Sequence, residues 1–192
     1  MFLQQRMITQ FNIKTINDEE IKDKRVLLRV DYNVSLTEQS QIADDTRITQ
    51  TLPTLHRLLE GNNKLILVAH LGEPKERDSK FSLQPVVERL QTYIPEKKII
   101  LVNDFLSEEG KQILTSQTPD QILMLENIRF YSGEKTNDLE FAKQLASLAD
   151  IYVDDAFGVC HRENTSVVGV AKLLPSYAGL LLEKEITAIG KI

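Results

Sequence analysis

"KLILVAHLGEPK", residues 64–75, is the stretch on which the fold turns. Its first half is a short run of Leu, Ile and Val, apolar without strict alternation and too short for a core helix. That pattern suits a strand buried on both faces, as in a parallel sheet. The run opens onto His70 and Gly72, as at the mouth of a strand. Glu73 follows, an acid where an anion-binding loop would want a base.

Four more runs of the same kind occur: "RVLLRV" (25–30), "KIILVND" (98–104), "QILMLEN" (121–127) and "DIYVDDAF" (150–157). Helical patterns lie between them. "DDTRITQTLPTLHRLLEG" opens with acidic capping candidates, ends at Gly61, and places Ile48, Leu52, Leu55 and Leu59 on one face. Pro53 inside it predicts a kink or a later helix start. "SLQPVVERLQTYI" has Ser82 as a cap candidate, Pro85 in the first turn and a stripe of Val87, Leu90 and Ile94. "NDLEFAKQLASLA" repeats the pattern with Phe141, Leu145 and Leu148, and a weaker helix is expected in "SEEGKQIL". Strand and helix alternate throughout. The expected fold is a doubly wound α/β domain, a parallel sheet flanked by helices in a Rossmann-like three-layer sandwich.

The chain has 192 residues, 42% hydrophobic, enough for one sizeable core. Its net charge of 23 − 28 = −5 argues against a nucleic-acid coat or a polybasic membrane binder. One cysteine, Cys160, permits no disulfide within the chain and fits a reducing, cytoplasmic setting. The opening "MFLQQRMITQF" lacks an apolar segment of signal-peptide length, and no run reaches the ~20 residues of a membrane span.

In doubly wound sheets ligands bind beyond the carboxyl ends of the strands. There this sequence places Asp31 and Asn33, then His70 and Gly72, then Asp104, then Asn127 and Arg129, then Asp154, Asp155, His161 and Arg162. Arg47, Arg129 and Arg162 lie in or beside these loops, and guanidinium forks bind phosphate or carboxylate. The residues alone therefore point to a small-anion site. Asp104, Asp154 and Asp155 read as caps or turn formers. His56 reads as a structural residue of its helix, and Arg29, within a strand, as a buried ion-pair partner. Cys160 and His161 are neighbours in an extended segment and point apart, so they make a poor nucleophile–base pair. The sequon at Asn164 is incidental in a chain with no secretory signal. No dinucleotide fingerprint, no P-loop and no metal-spaced Cys/His cluster occurs.

The blocks "RVLLRVDYNV", "DDTRITQTLPTL", "AHLGEPK", "SLQPVVERL", "LENIRFYSGE", "NDLEFAKQLASLADIYVDDAFGVCHR" and "GLLLEKEI" follow the order found in phosphoglycerate kinase. From about Arg25 to Ile186 the chain resembles the N-terminal domain of that family. The resemblance implies a hinged, two-domain glycolytic kinase that moves a phosphoryl group between 1,3-bisphosphoglycerate and ADP, giving 3-phosphoglycerate and ATP. It implies that Asp31 and Asn33 hold the hydroxyl and carboxylate end of the substrate. It implies that Arg47 stabilises charge on the transferring phosphoryl group, and that His70, Arg129 and Arg162 form a basic cluster around the 3-phosphate. Mg-ADP and Mg-ATP would belong to a C-terminal domain, with no cofactor and no metal in this chain. Residues 1–178 would form the substrate-binding domain and residues 179–192 the start of the interdomain hinge helix. The chain is then expected to be an excised half, a monomer, inactive without its own C-terminal domain. The alternative is a non-catalytic anion-binding or regulatory domain derived from the kinase fold.

Three positions depart from the family pattern: Ser35 where proline is usual, Asn164 where a second histidine is usual, and Glu73 where an arginine is expected at the 3-phosphate. No phosphate-binding role carries over to Glu73. It is expected to turn to solvent or to pair with Lys75 or Arg77.

Overall fold

The computed structural model describes residues 13–190. The N-terminal stretch read for a signal sequence lies outside the described residues, as do the last two residues of the expected hinge segment. Six strands form one all-parallel sheet: β1 (Arg25–Val30), β2 (Lys64–Val68), β3 (Lys98–Val102), β4 (Gln121–Leu125), β5 (Ile151–Asp155) and β6 (Ser176–Ala178), in the order β3-β4-β2-β1-β5-β6. The five expected strands are present. β6 is a sixth, three residues long, paired with β5.

Strand periodicity sorts the core into two layers. Val26, Leu28 and Val30 of β1, Leu65 and Leu67 of β2, and Ile122 and Met124 of β4 face one side. They meet Ile48, Leu55 and Leu58 of α1 (Thr46–Glu60) and Val86, Val87 and Leu90 of α2 (Gln84–Tyr93). Leu27, Ile66, Val68, Leu123, Leu125 and Tyr152 face the other, against Leu114 of α3 (Glu108–Thr115) and Phe141 and Leu145 of α4 (Leu139–Ala146). The central strands β1, β2 and β4 therefore bury both faces, which is why they do not alternate apolar with polar. A fifth helix, α5 (Leu180–Ile189), follows β6 and packs on α1.

Helix starts follow local chemistry. Ser107 Oγ accepts from Gly110 N at 3.0 Å and Asp138 Oδ1 from Phe141 N at 2.7 Å, so α3 and α4 begin on side-chain caps. In α1, by contrast, the N-cap Asp45 gives its carboxylate to Tyr93 Oη at 2.6 Å, tying the start of α1 to the end of α2. Pro53 does not delay α1, which starts at Thr46 and carries the proline inside. Pro53 sits on the exposed side, where water can serve the carbonyl of Thr49 that the missing N–H leaves free. His56 is also on that side, within the helix as expected but exposed rather than packed among its apolar neighbours. Ser35 belongs to a small hairpin in which Leu36 pairs with Ile42.

Candidate functional site

The loops after β1, β2, β4 and β5 meet at one edge of the sheet. Asp31 follows β1 and forms an ion pair with Arg47 in the first turn of α1. Asn33 Oδ1 accepts from Gly72 N at 2.7 Å, so the β1 loop holds the β2 loop. Gly72 has φ +61°, and a Cβ there would lie 2.5 Å from the Phe81 ring. Glycine is required on both counts. Asn127 clamps the same loop from β4: its Nδ2 donates to Leu71 O at 2.7 Å and Phe81 O at 2.9 Å. Asn33 and Asn127 thus shape the loop that presents His70 and Gly72.

Behind the loop runs a buried polar chain. Arg29 is 1% exposed and its Nη2 donates to His70 Nδ1 at 3.0 Å. Its Nε donates to Ser166 Oγ at 3.1 Å, and Ser166 Oγ donates to Glu134 Oε1 at 2.6 Å. The expected ion pair of Arg29 is therefore relayed through a serine hydroxyl, because among the described residues no carboxylate touches the guanidinium. Asn164 is buried and its Nδ2 donates to Glu134 Oε1 at 3.1 Å. The sequon asparagine is thus committed to the fold. Burial pushes the Glu134 carboxyl up, against the hydrogen bonds from Ser166.

This arrangement fixes the character of His70. An arginine only donates, so Nδ1 must accept and Nε2 must carry the proton. Burial above all, then the charges of Arg29, Arg129, Arg162 and Arg47, push the His70 pKa down to about 2. His70 is a neutral N–H donor and adds no positive charge, which corrects its expected place in a basic cluster.

The cations are Arg129, Arg162 and Lys135, and Glu73 lies among them. Its Oε1 accepts from Arg129 Nη1 at 2.7 Å and Arg162 Nη1 at 3.0 Å, and its Oε2 from Lys135 Nζ at 2.9 Å. Lys135 and the two arginines hold its carboxyl below the usual range for glutamate. Glu73 is exposed, as expected, but its partners are Arg129, Arg162 and Lys135 rather than Lys75 or Arg77. Arg77 is drawn away by the faces of Phe130 and Tyr131, 5.1 and 5.9 Å from the ring centres, and donates to Asn103 O at 2.9 Å. The Arg129 side chain is 2% exposed, its Nη1 also donates to Gly72 O at 2.6 Å, and its Nε and Nη2 have no partner among the described residues.

Beside the Asp31–Arg47 pair is a cavity of about 350 Å³, lined also by Asp155, Gly158, Leu181 and Glu185. Asp104 and Asp154 form turns as expected, accepting from Leu106 N at 3.1 Å and Ala156 N at 3.0 Å. Asp155 caps α5. Cys160 is exposed as a residue, but enclosure of its sulfur, then the Asp154 carboxylate 3.5 Å away, push its pKa up to about 12, away from thiolate chemistry. Among the described residues no group of three His, Cys, Asp or Glu is arranged to hold a metal. The crevice is rich in arginine, and Asp31 is already paired, a donor set that does not suit Mg²⁺.

Glu134, Lys135 and Ser166 are the members of this constellation that the sequence alone does not single out, because each acts through partners distant in sequence.

The phosphoglycerate kinase family model matches residues 16–192. The chain is 52% identical over 179 residues to the phosphoglycerate kinase of Aquifex aeolicus, covering 93% of this chain and 45% of that one. It is 46% identical over 180 residues to a phosphoglycerate kinase of Thermus thermophilus, covering 94% and 46%. The solved phosphoglycerate kinase of Coxiella burnetii superposes with a TM-score of 0.83 at 34% identity, covering 93% of this chain and 44% of that one. The chain thus spans about 45% of the length of these relatives. On fold and sequence together, it belongs to the phosphoglycerate kinase family.

Proposed function

We propose that this chain is the glycerate-binding half of a phosphoglycerate kinase, acting in reversible phosphoryl transfer between 1,3-bisphosphoglycerate and ADP. Residues 1–178 form the substrate domain and residues 179–192 begin the hinge to a nucleotide-binding C-terminal domain. Mg-ADP and Mg-ATP are assigned to that other domain, and no step in this chain runs through the metal. The chain works as a monomer in the cytoplasm.

Phosphoryl transfer asks a protein for positioning and for positive charge at the equatorial oxygens. Arg47 supplies that charge from the first turn of α1. Asp31 accepts the substrate hydroxyl, and Asn33 and His70 donate neutral N–H groups to its carboxylate and phosphate ends. Arg129 and Arg162 receive the 3-phosphate. An acyl phosphate is already activated, so no strong general base is needed and Asp31 orients rather than deprotonates. Closure of the second domain excludes water and brings the two substrates into line.

One observation carries this reading: a buried arginine at the carboxyl end of β4 has two unpartnered N–H groups on one edge of its guanidinium. That is the edge that grips phosphate in bidentate fashion. Titrating the chain with millimolar 3-phosphoglycerate should shift the backbone amides of Gly72, Arg129 and Arg162. A coupled assay with ATP and 3-phosphoglycerate should show no turnover by this chain alone. Silence of those amides would refute the assignment, and turnover by the isolated chain would refute the division of labour.

A further inference from the structure

Glu73 sits where a phosphate would be expected to sit. Its side chain is 54% exposed and lies on the solvent side of Arg129, which is 2% exposed. The two carboxylate oxygens have different partners. Oε1 is shared by Arg129 and Arg162, the two residues read as the phosphate grip, at 2.7 and 3.0 Å. Oε2 is held by Lys135 alone, at 2.9 Å. Three cations and one carboxylate leave two positive charges, and the Nε–Nη2 edge of Arg129 remains unused. The cluster is occupied by an anion but not saturated by it.

We propose that Glu73 is a tethered competitor for the phosphate subsite. A phosphate docking on the free Nε–Nη2 edge of Arg129 draws Arg162 from Oε1, and Lys135 keeps hold of Oε2 while the side chain swings aside. Lys135 is then a positioning residue: it gives the displaced carboxylate a place to go. This rests on the reading of Arg129 and Arg162 as the phosphate grip. It makes Glu73 a determinant of affinity that loosens the grip on the phosphate end and leaves the glycerate end untouched. Charge arithmetic supports a penalty, since a phosphate dianion must enter beside a carboxylate that keeps its charge.

The test measures binding of inorganic phosphate, 3-phosphoglycerate and phosphate-free glycerate by calorimetry to the full 192-residue chain and its variants. Glu73→Gln should bind both phosphate-bearing probes about tenfold tighter, the size of one relieved charge contact, with glycerate unchanged. Lys135→Met should weaken both phosphate-bearing probes, and less so in the Glu73→Gln background, because the lysine acts through the glutamate. A Glu73 that merely ties the loop together would give equal or weaker binding in Glu73→Gln, and that result overturns the proposal. A Lys135 effect of the same size in both backgrounds overturns the swing onto lysine. Tighter phosphate binding by Glu73→Gln, with 3-phosphoglycerate no better than inorganic phosphate, would uphold the competitor and refute the glycerate reading. No binding of either probe by any variant refutes both.

Discussion

His70 lies 3% exposed between Arg29 and the loop it presents, and its environment strips it of charge. The sign of its linkage follows. Its folded pKa of about 2 is below the unfolded value near 6.5, so protonation favours the unfolded chain. The stability it contributes is present above pH ~6.5 and is lost as pH falls through the window below it. Between pH 5 and pH 8 the ring should not titrate, and its ¹⁵N shifts should report the Nε2–H tautomer throughout. A His70 midpoint near pH 6.5 would show that Arg29 does not hold Nδ1. At this scale the sequence was uneven. Arg129 stands out in the sequence because its charge follows an apolar strand directly, and Arg162 because it lies in the loop beyond β5. The neutrality of His70 was not, since it depends on Arg29, 41 positions away. Glu73 was legible as an oddity, but its partner Lys135 lies 62 positions on, and local spacing pointed to Lys75 and Arg77 instead.

Helix α5 has no cap of its own. Its first residues follow Gly179, and the orphan N–H groups are met from other elements: Leu180 N by Thr54 Oγ1 of α1 at 3.0 Å, and Leu181 N and Leu182 N by Asp155 Oδ1 of β5 at 2.9 and 3.2 Å. A Cβ at Gly179 would lie 2.2 Å from that oxygen, so only glycine lets the chain turn so close to its cap. Burial, against the hydrogen bonds from Thr54 and the helix start, pushes the Asp155 carboxyl up to about 7. The folded form therefore holds its proton more tightly than the unfolded chain. Between pH ~4 and pH ~7 rising pH costs stability, and the whole cost is present above pH 7. Asp155→Asn keeps an acceptor for the helix start and removes the buried charge. Relative to the parent chain it should gain roughly 1–3 kcal/mol between pH 4 and pH 8 in urea unfolding. A difference that stays constant with pH would mean that Asp155 carries no buried charge. Elements were read well where the signal is local, as with the short apolar runs of the five principal strands and the periodic apolar faces of α1, α2 and α4. β6 escaped because three residues, "SYA", make no apolar run. The behaviour of Pro53 escaped because its exposure, not its identity, decides whether the helix can carry it.

One sheet serves both core layers, so the two sides of the molecule cannot fail separately without breaking strand pairing. Leu27 and Leu28 are neighbours on β1, the strand that pairs with both β2 and β5, yet they feed opposite layers. They are 1% and 0% exposed. Truncating either to alanine removes packing that its layer cannot wholly recover, at about 2–5 kcal/mol each. If the sheet couples the layers, Leu27→Ala should raise hydrogen exchange in α1 and α2 as well as in α3 and α4, and Leu28→Ala should do the same in reverse. Urea curves followed by far-UV ellipticity and by tyrosine fluorescence should coincide for the parent and both variants. Exchange confined to the layer of the substituted residue would instead divide the domain into two independently opening units. The coupling bears on the site, because the loops that carry Asp31, His70, Arg129 and Arg162 leave neighbouring strands at one edge. Their mutual placement is only as firm as the pairing of β1, β2, β4 and β5. A layer that opened alone would scatter that edge long before the chain unfolded.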